Sequence, residues 1–208
     1  MYTMVLTSCN RHDLLKQTLD SFCSHVDIVP AKTIIIEDGQ VSKPVEITEN
    51  NYPNLGNLVW IQNEVKLGQV LSLDKAYSQV QTQYIFACED DWCFYEGGFI
   101  GSSLKILEKY PNILQVWLRE HYDTNGHPVV RLPQFDCETM KADWGIWGGF
   151  SWNPGLRRLK DYQAIGNYSQ YEQEHLVSKA YRDLGFHAAI TKFGYVRHIG
   201  WDRGLPKI

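Results

Sequence analysis

The chain is 208 residues long, with a formal net charge of −4, 44% apolar residues and 21% charged residues. That size suits one globular domain, which hides roughly 70% of its unfolded surface. The acidic balance argues against a generic nucleic-acid binder, which needs clustered Lys and Arg on phosphates; the densest basic group, Arg157-Arg158 with Lys160, falls on a predicted helix.

Residues 2–7 form a short β-branched and apolar run, which predicts a strand. Asn10 reads as the N-cap of the next helix, in which Leu15, Leu19, Phe22 and Val26 recur at helical spacing. Residues 33–38 are an apolar run too short for a helix and stopped by Gly39, which suits a strand buried on both faces of a parallel sheet. Residues 40–56 are polar and hold Pro44, Pro53 and Gly56, so they read as an irregular connection.

Residues 58–61 predict a third strand, and Val70, Leu73, Ala76, Tyr77 and Val80 mark a helix after Gly68. A fourth strand, residues 84–88, runs into three consecutive acids. A helix near 100–110 and a strand at 114–118 complete the alternation, which implies an α/β fold with a mostly parallel sheet. Gly, Pro and Trp then punctuate residues 122–155, predicting loops and short strands around a site. Asn153-Pro154 reads as a helix start with Pro at the first helical position. Leu176, Val177, Ala180, Tyr181 and Leu184 mark a later helix closed by Gly185, and a strand around 188–191 precedes the tail at 195–208.

The five cysteines, Cys9, Cys23, Cys88, Cys93 and Cys137, form no CxxC pair, and no secretory signal opens the chain. Reduced thiols and a cytoplasmic location are therefore expected. No apolar run approaches the ~18 residues a membrane span needs, although peripheral attachment stays compatible with the sequence. Three of the seven Trp fall within nine residues, at Trp144, Trp147 and Trp152. They read equally well as core aromatics and as a stacking platform for sugar.

Ligands of open α/β sheets bind outside the carboxyl ends of the strands. Two predicted strands end there in acids: Glu37-Asp38 and Glu89-Asp90-Asp91. Three adjacent carboxylates repel one another unless a cation or hydrogen-bond donors compensate, and such oxygens suit Mg²⁺ or Mn²⁺ together with substrate phosphates.

The order of these motifs resembles the family 2 glycosyltransferases and their relatives of the GT-A fold. The matching stretches are Val5–Arg11, the strand ending Ile36-Glu37-Asp38-Gly39, Gln62–Gly68, Tyr84–Asp91 and the late Glu174 helix. The resemblance implies a single Rossmann-like α/β domain over residues 1–208, with a nucleotide-sugar-binding half at 1–120 and an acceptor-side half at 121–208. It implies that Thr7, Ser8, Asn10 and Arg11 border the nucleotide and that Asp38 bonds its base, usually uracil or thymine. Lys66 and Gly68 would lie near ribose and phosphates. Glu89-Asp90-Asp91 takes the family's Asp-x-Asp position, with Asp91 as metal ligand and Glu89 and Asp90 on the nucleotide sugar; the leading acid here is Glu. His198 resembles the C-terminal histidine that completes the metal sphere in some GT-A enzymes. Glu174 would be the catalytic base, with Glu172 in reserve, and Trp147, Gly148 and Gly149 would border donor and acceptor.

The expected function is metal-dependent transfer of a sugar from a UDP- or TDP-type donor to a saccharide or other hydroxyl acceptor, with inversion. Little chain follows His198, so acceptor recognition is expected from residues 120–170, an oligomer or a partner. A sugar nucleotidyltransferase would carry a Gly-rich basic loop after the first strand, where this chain has Thr7-Ser8-Cys9-Asn10-Arg11-His12. A metal-dependent phosphoesterase would need more His and Asp at strand ends. A non-catalytic carbohydrate-binding module would explain the Trp residues and leave the acids idle.

Overall fold

The computed structural model describes residues 1–203. Eleven strands and five α-helices are found among them. The first half follows the predicted alternation: β1 (Tyr2–Ser8), α1 (His12–His25), β2 (Lys32–Glu37), β3 (Asn57–Gln62), α2 (Gln69–Tyr77), β4 (Tyr84–Glu89), α3 (Phe99–Lys109) and β6 (Ile113–Trp117), with a short β5 (Trp92–Phe94) after β4. The second half holds β7 (Val129–Arg131), β8 (Glu138–Met140), β9 (Gly155–Arg158), α4 (Leu159–Ile165), α5 (Glu174–Asp183), β10 (His187–Ile190) and β11 (Val196–His198). The end of the expected tail, residues 204–208, lies outside the described residues.

Nine strands form one sheet in the order β3-β2-β1-β4-β9-β6-β10-β8-β7. β3, β2, β1 and β4 are parallel, and so are β6 and β10. β9 runs against both β4 and β6, which leaves those two aligned. The sheet is mainly parallel, as the alternation implied.

Side chains of a strand point alternately to opposite faces, and both faces here are covered. Met4 and Leu6 of β1 and Ile35 of β2 join Leu15, Leu19 and Phe22 of α1 in one core. Val5, Ile34 and Ile36 face the other way, onto Leu73 and Ala76 of α2 and Val177 and Tyr181 of α5. The stop at Gly185 is as expected: it takes φ +83°, its N–H donates to Arg182 O (2.8 Å), and Phe186 N–H reaches back to Tyr181 O (3.1 Å), a Schellman closure.

Three local readings change. Asn10 is not an N-cap: it takes φ +56°, Arg11 occupies the cap position without a side-chain bond, and Asn10 Oδ1 instead accepts from Gln40 N–H and Val41 N–H. Asn10 thereby ties the loop after β1 to the loop after β2. Asn153-Pro154 does not start a helix; a buried strand follows it, and α4 begins only at Leu159. Arg157 and Arg158 thus lie on β9 rather than on a helix, and both are buried. Arg158 is satisfied by the end of α3, whose last turn leaves carbonyls free, and by the start of β6: its guanidinium donates to Leu107 O, Tyr110 O (3.0 Å) and Ile113 O (2.8 Å), and pairs with Asp161. Finally, β5 and β11 pair antiparallel inside segments read as loop and tail, with Trp92 opposite His198.

Candidate active site

The registers of β1 with β2 and β4 set Ser8 beside Glu37 and Thr7 beside Glu89, so the acidic ends of neighbouring strands share one sheet edge. The chain turns sharply after Glu89, and each acid of the triplet takes a different partner. Asp90 is fully buried: Arg11 grips both its oxygens, Cys9 N–H donates to Oδ2 (3.3 Å), and Thr18 donates to its backbone carbonyl (2.8 Å). Burial pushes its carboxyl up to about 7 against the pull of Arg11.

Asp91 Oδ2 accepts from Arg11 Nη1 (2.8 Å) and lies 3.2 Å from His198 Nε2. Burial pushes the Asp91 carboxyl up, but His198 and Arg11 together hold it below the usual range. Half-buried Glu89 accepts from Gln69 Nε2 (2.7 Å) and Trp92 Nε1 (3.2 Å), while burial and the charge of Asp91 raise its pKa.

His198 reaches Asp91 because β11 pairs with β5. Its ring packs on Trp92 (5.1 Å) and Trp201 (4.7 Å), and Ile199 N–H donates to Asp91 O (2.8 Å). Gly200 is pressed so tightly on this carboxylate that a β-carbon there would stand 2.4 Å from Asp91 Oδ2. The segment 198–203 therefore folds over the triplet, and Arg203 is tied to Asp13 of α1.

The other residues singled out in the sequence flank the triplet on the same sheet edge. Ser8 Oγ donates to Glu37 (2.8 Å), a buried carboxylate that also accepts from Asn10 N–H (2.8 Å) and Gly39 N–H (2.7 Å). Thr7 is buried between Ile36 and Glu89. Asp38 is turned onto its own chain: it accepts from Asn63 Nδ2 (2.8 Å), Leu67 N–H (2.7 Å) and Gly68 N–H (2.7 Å). It thus fixes the loop that carries exposed Lys66, whose charge reaches Cys9 beside the triplet. Gly68 adopts φ +85° as the residue preceding α2.

Glu174 opens α5 and lies in a cavity of about 270 Å³ lined also by Trp117, His127, Trp144, Trp147 and Ser151. Its Oε1 accepts from Trp152 N–H (2.9 Å). Burial is the main cause that pushes its carboxyl up to about 7, and the charge of Glu89 adds to it. Glu172 is exposed in the bend before the helix and is not part of the cavity wall.

Of the three clustered Trp, Trp144 and Trp147 line the cavity, while Trp152 packs edge-on against Phe150 and Tyr168 of the core. The core reading thus holds for Trp152, while Trp144 and Trp147 stand in a cavity wall. Gly148 and Gly149 serve close packing rather than open approach. A β-carbon on Gly148 would stand 2.6 Å from Ser178 O of α5, and Gly149 takes φ +95° while accepting from Trp117 Nε1 (2.8 Å). Ser178 Oγ accepts from Gly148 N–H (2.8 Å) and Phe150 N–H (3.0 Å), which locks this segment onto α5.

A divalent cation is implied by the resemblance, and the donors present fit one of a particular kind. Asp91 Oδ1 is buried without a partner, and the other oxygen of this carboxylate, Oδ2, lies 3.2 Å from His198 Nε2. Among the described residues no three His, Cys, Asp or Glu side chains converge. A cation held here would take only two protein ligands, and Mg²⁺-like ions commonly complete their sphere with phosphate oxygens and water.

Sequence reading missed Trp92, Gln69 and Gly200 at the triplet and Ser151 and His127 in the cavity. Trp92 alone carried a signal, its place directly after three acids.

The sheet order, the acidic strand end and the return of the C-terminal strand define a transferase-like α/β domain of the GT-A type. The chain belongs to glycosyl transferase family 2, whose family profile matches residues 3–188. Solved structures agree in fold. Residues 1–349 of S. aureus TarS superpose with TM-score 0.66 at 13% identity, covering 94% of this chain and 59% of that one. The mannosyltransferase PcManGT from Pyrobaculum calidifontis, solved with GDP-Man and Mn²⁺, gives 0.64 at 14% identity, covering 93% and 58%. GalNAc-T7, solved with UDP, GalNAc and Mn²⁺, gives 0.68 at 14% identity, covering 99% and 45%. The chain therefore spans less than two thirds of the length of these proteins. The search of curated proteins finds no match. Among the described residues no helix is long and apolar enough to cross a membrane.

Proposed function

We propose that the chain transfers a sugar from a nucleotide-diphosphate donor to an acceptor hydroxyl, with inversion at the transferred carbon. The observation that carries this reading is Glu174, a half-buried carboxylate at the head of α5 that faces a cavity and titrates near neutrality. A general base works best when its pKa lies near the operating pH. The acceptor oxygen attacks the anomeric carbon and passes its proton to Glu174. The bond from that carbon to the diphosphate oxygen breaks, and the nucleoside diphosphate leaves with the electron pair.

Asp91 and His198 would hold Mn²⁺ or Mg²⁺, which offsets the charge growing on the leaving diphosphate. Arg11 keeps Asp90 and Asp91 fixed. Asp38 holds the Lys66–Gly68 loop as one wall of the nucleotide site, whose base we assign to the uracil or thymine type. The family match favours this reading over nucleotidyl transfer, and solved relatives of like fold carry UDP and GDP-Man. Residues 1–120 form the donor half in this proposal, and residues 121–208 the acceptor half, with Trp144 and Trp147 against acceptor or donor sugar.

Thermal melting with Mn²⁺ and UDP, TDP or GDP tests the donor site. A metal-dependent rise specific to one diphosphate, lost in Asp91→Ala, is expected. No rise with any of them overturns the nucleotide-sugar reading.

A further inference from the structure

Arg157 lies in the middle of the sheet, on β9, and is 1% exposed. Its Nε and Nη1 have no hydrogen-bond partner, and among the described residues no carboxylate pairs with it. Its guanidinium stacks on the Phe150 ring (5.0 Å) and is otherwise surrounded by the phenols of Tyr77, Tyr168 and Tyr181. A buried cation without a counter-ion is costly to keep, and packing alone is served as well by an apolar side chain of like volume.

Besides the Tyr168 phenol, its polar contact is with the backbone. Arg157 Nη2 donates to Ser151 O at 3.3 Å. That carbonyl belongs to the peptide whose N–H, on Trp152, donates to Glu174 Oε1 at 2.9 Å. Cation, amide and carboxylate therefore stand in series, and hydrogen bonds in such a chain polarise one another. We propose that Arg157 is a positioning residue for Glu174, acting through the Ser151–Trp152 peptide to aim the carboxylate and favour its ionised form in the cavity. This inference rests on the reading of Glu174 as the base.

Trp152 N–H and the Ser151 side chain hold the Glu174 carboxyl down first, and the charge of Arg157 adds to them. Glu89, at the end of β4, opposes ionisation. His127, across the cavity, is held neutral by burial, which lowers its pKa, and its Nε2 is bonded to Lys141 O (2.8 Å). Near Glu174 in sequence stand His175 on α5 and Glu172 in the exposed bend. Arg157 is the buried cation whose field favours the Glu174 carboxylate.

The test reads Glu174 directly, as the infrared carboxyl band that disappears in Glu174→Gln, titrated in the wild-type protein, Arg157→Met and Arg157→Lys. The midpoint is expected near 7 in the wild type, as the carboxyl is pushed up to about 7. It should rise when the charge is removed. Arg157→Lys, which keeps the charge but withdraws it from Ser151, should rise by less. An unchanged midpoint in either folded variant overturns the proposal, and Arg157→Lys alone decides if Arg157→Met does not fold. The acid limb of kcat should follow the midpoint. A midpoint that moves while the limb stays put sinks the base reading and leaves the coupling standing.

Discussion

Glu174→Gln should stabilise the protein above neutral pH while it removes turnover. The amide is isosteric, and its oxygen still accepts from Trp152 N–H, so geometry is retained. What it removes is a buried charge. Folding raises the Glu174 carboxyl from 4.5 to about 7, so between those values the folded state holds more proton than the unfolded state. Stability then falls as pH rises through that window, and the full penalty is present above 7. At 1.36 kcal/mol per pKa unit, the penalty is at most about 3 kcal/mol. For a chain of this size, about 2–4 °C of Tm accompanies each kcal/mol. Scanning calorimetry should therefore find Glu174→Gln melting several degrees above the wild type at pH 8, with most of the difference gone by pH 5. A variant that melts lower than the wild type at pH 8, or a gap independent of pH, would refute the reasoning.

Ser178→Ala strips the acceptor from Gly148 N–H and Phe150 N–H, and each orphaned buried donor costs about 1–3 kcal/mol; the urea midpoint should fall accordingly. Gly200→Ala forces a methyl onto Asp91 Oδ2. It should weaken Mn²⁺-dependent binding of a nucleoside diphosphate by about tenfold or more, since a 1.4 kcal/mol loss already gives that factor, and titration calorimetry reads it. Tm without ligand should fall as well, because Gly200 is buried against Asp91.

The first half of the fold was legible because its signals are local and redundant. An apolar run such as Ile34-Ile35-Ile36 admits little but a buried strand, and acids at its end mark the ligand edge of a parallel sheet. Glu174 was singled out through the family resemblance, counting back from Gly185, and the structure opens α5 at that residue. What hid was non-local. β9 carries two arginines and follows a proline, the pattern of an exposed helix start, and its burial depends on carbonyls of α3 and an amide beside Glu174. Asn10 has the right residue type for a cap but is needed in a left-handed conformation to bind the next loop. His198 meets Asp91 only through the pairing of β5 with β11, three residues each, which no short-range pattern announces.

The central claim is that one site joins a metal-held nucleotide sugar to a carboxylate base. Release of nucleoside diphosphate from a panel of UDP-, TDP- and GDP-sugars, with Mn²⁺ or with chelator, tests it most directly. The account predicts that one donor class is turned over with Mn²⁺ and not with chelator, that Asp91→Ala loses binding and turnover, and that Glu174→Gln keeps donor binding while its rate falls by about 10²–10⁴-fold. A Glu174→Gln enzyme that turns over at the wild-type rate, or donor turnover unaffected by chelator and by Asp91→Ala, would contradict it.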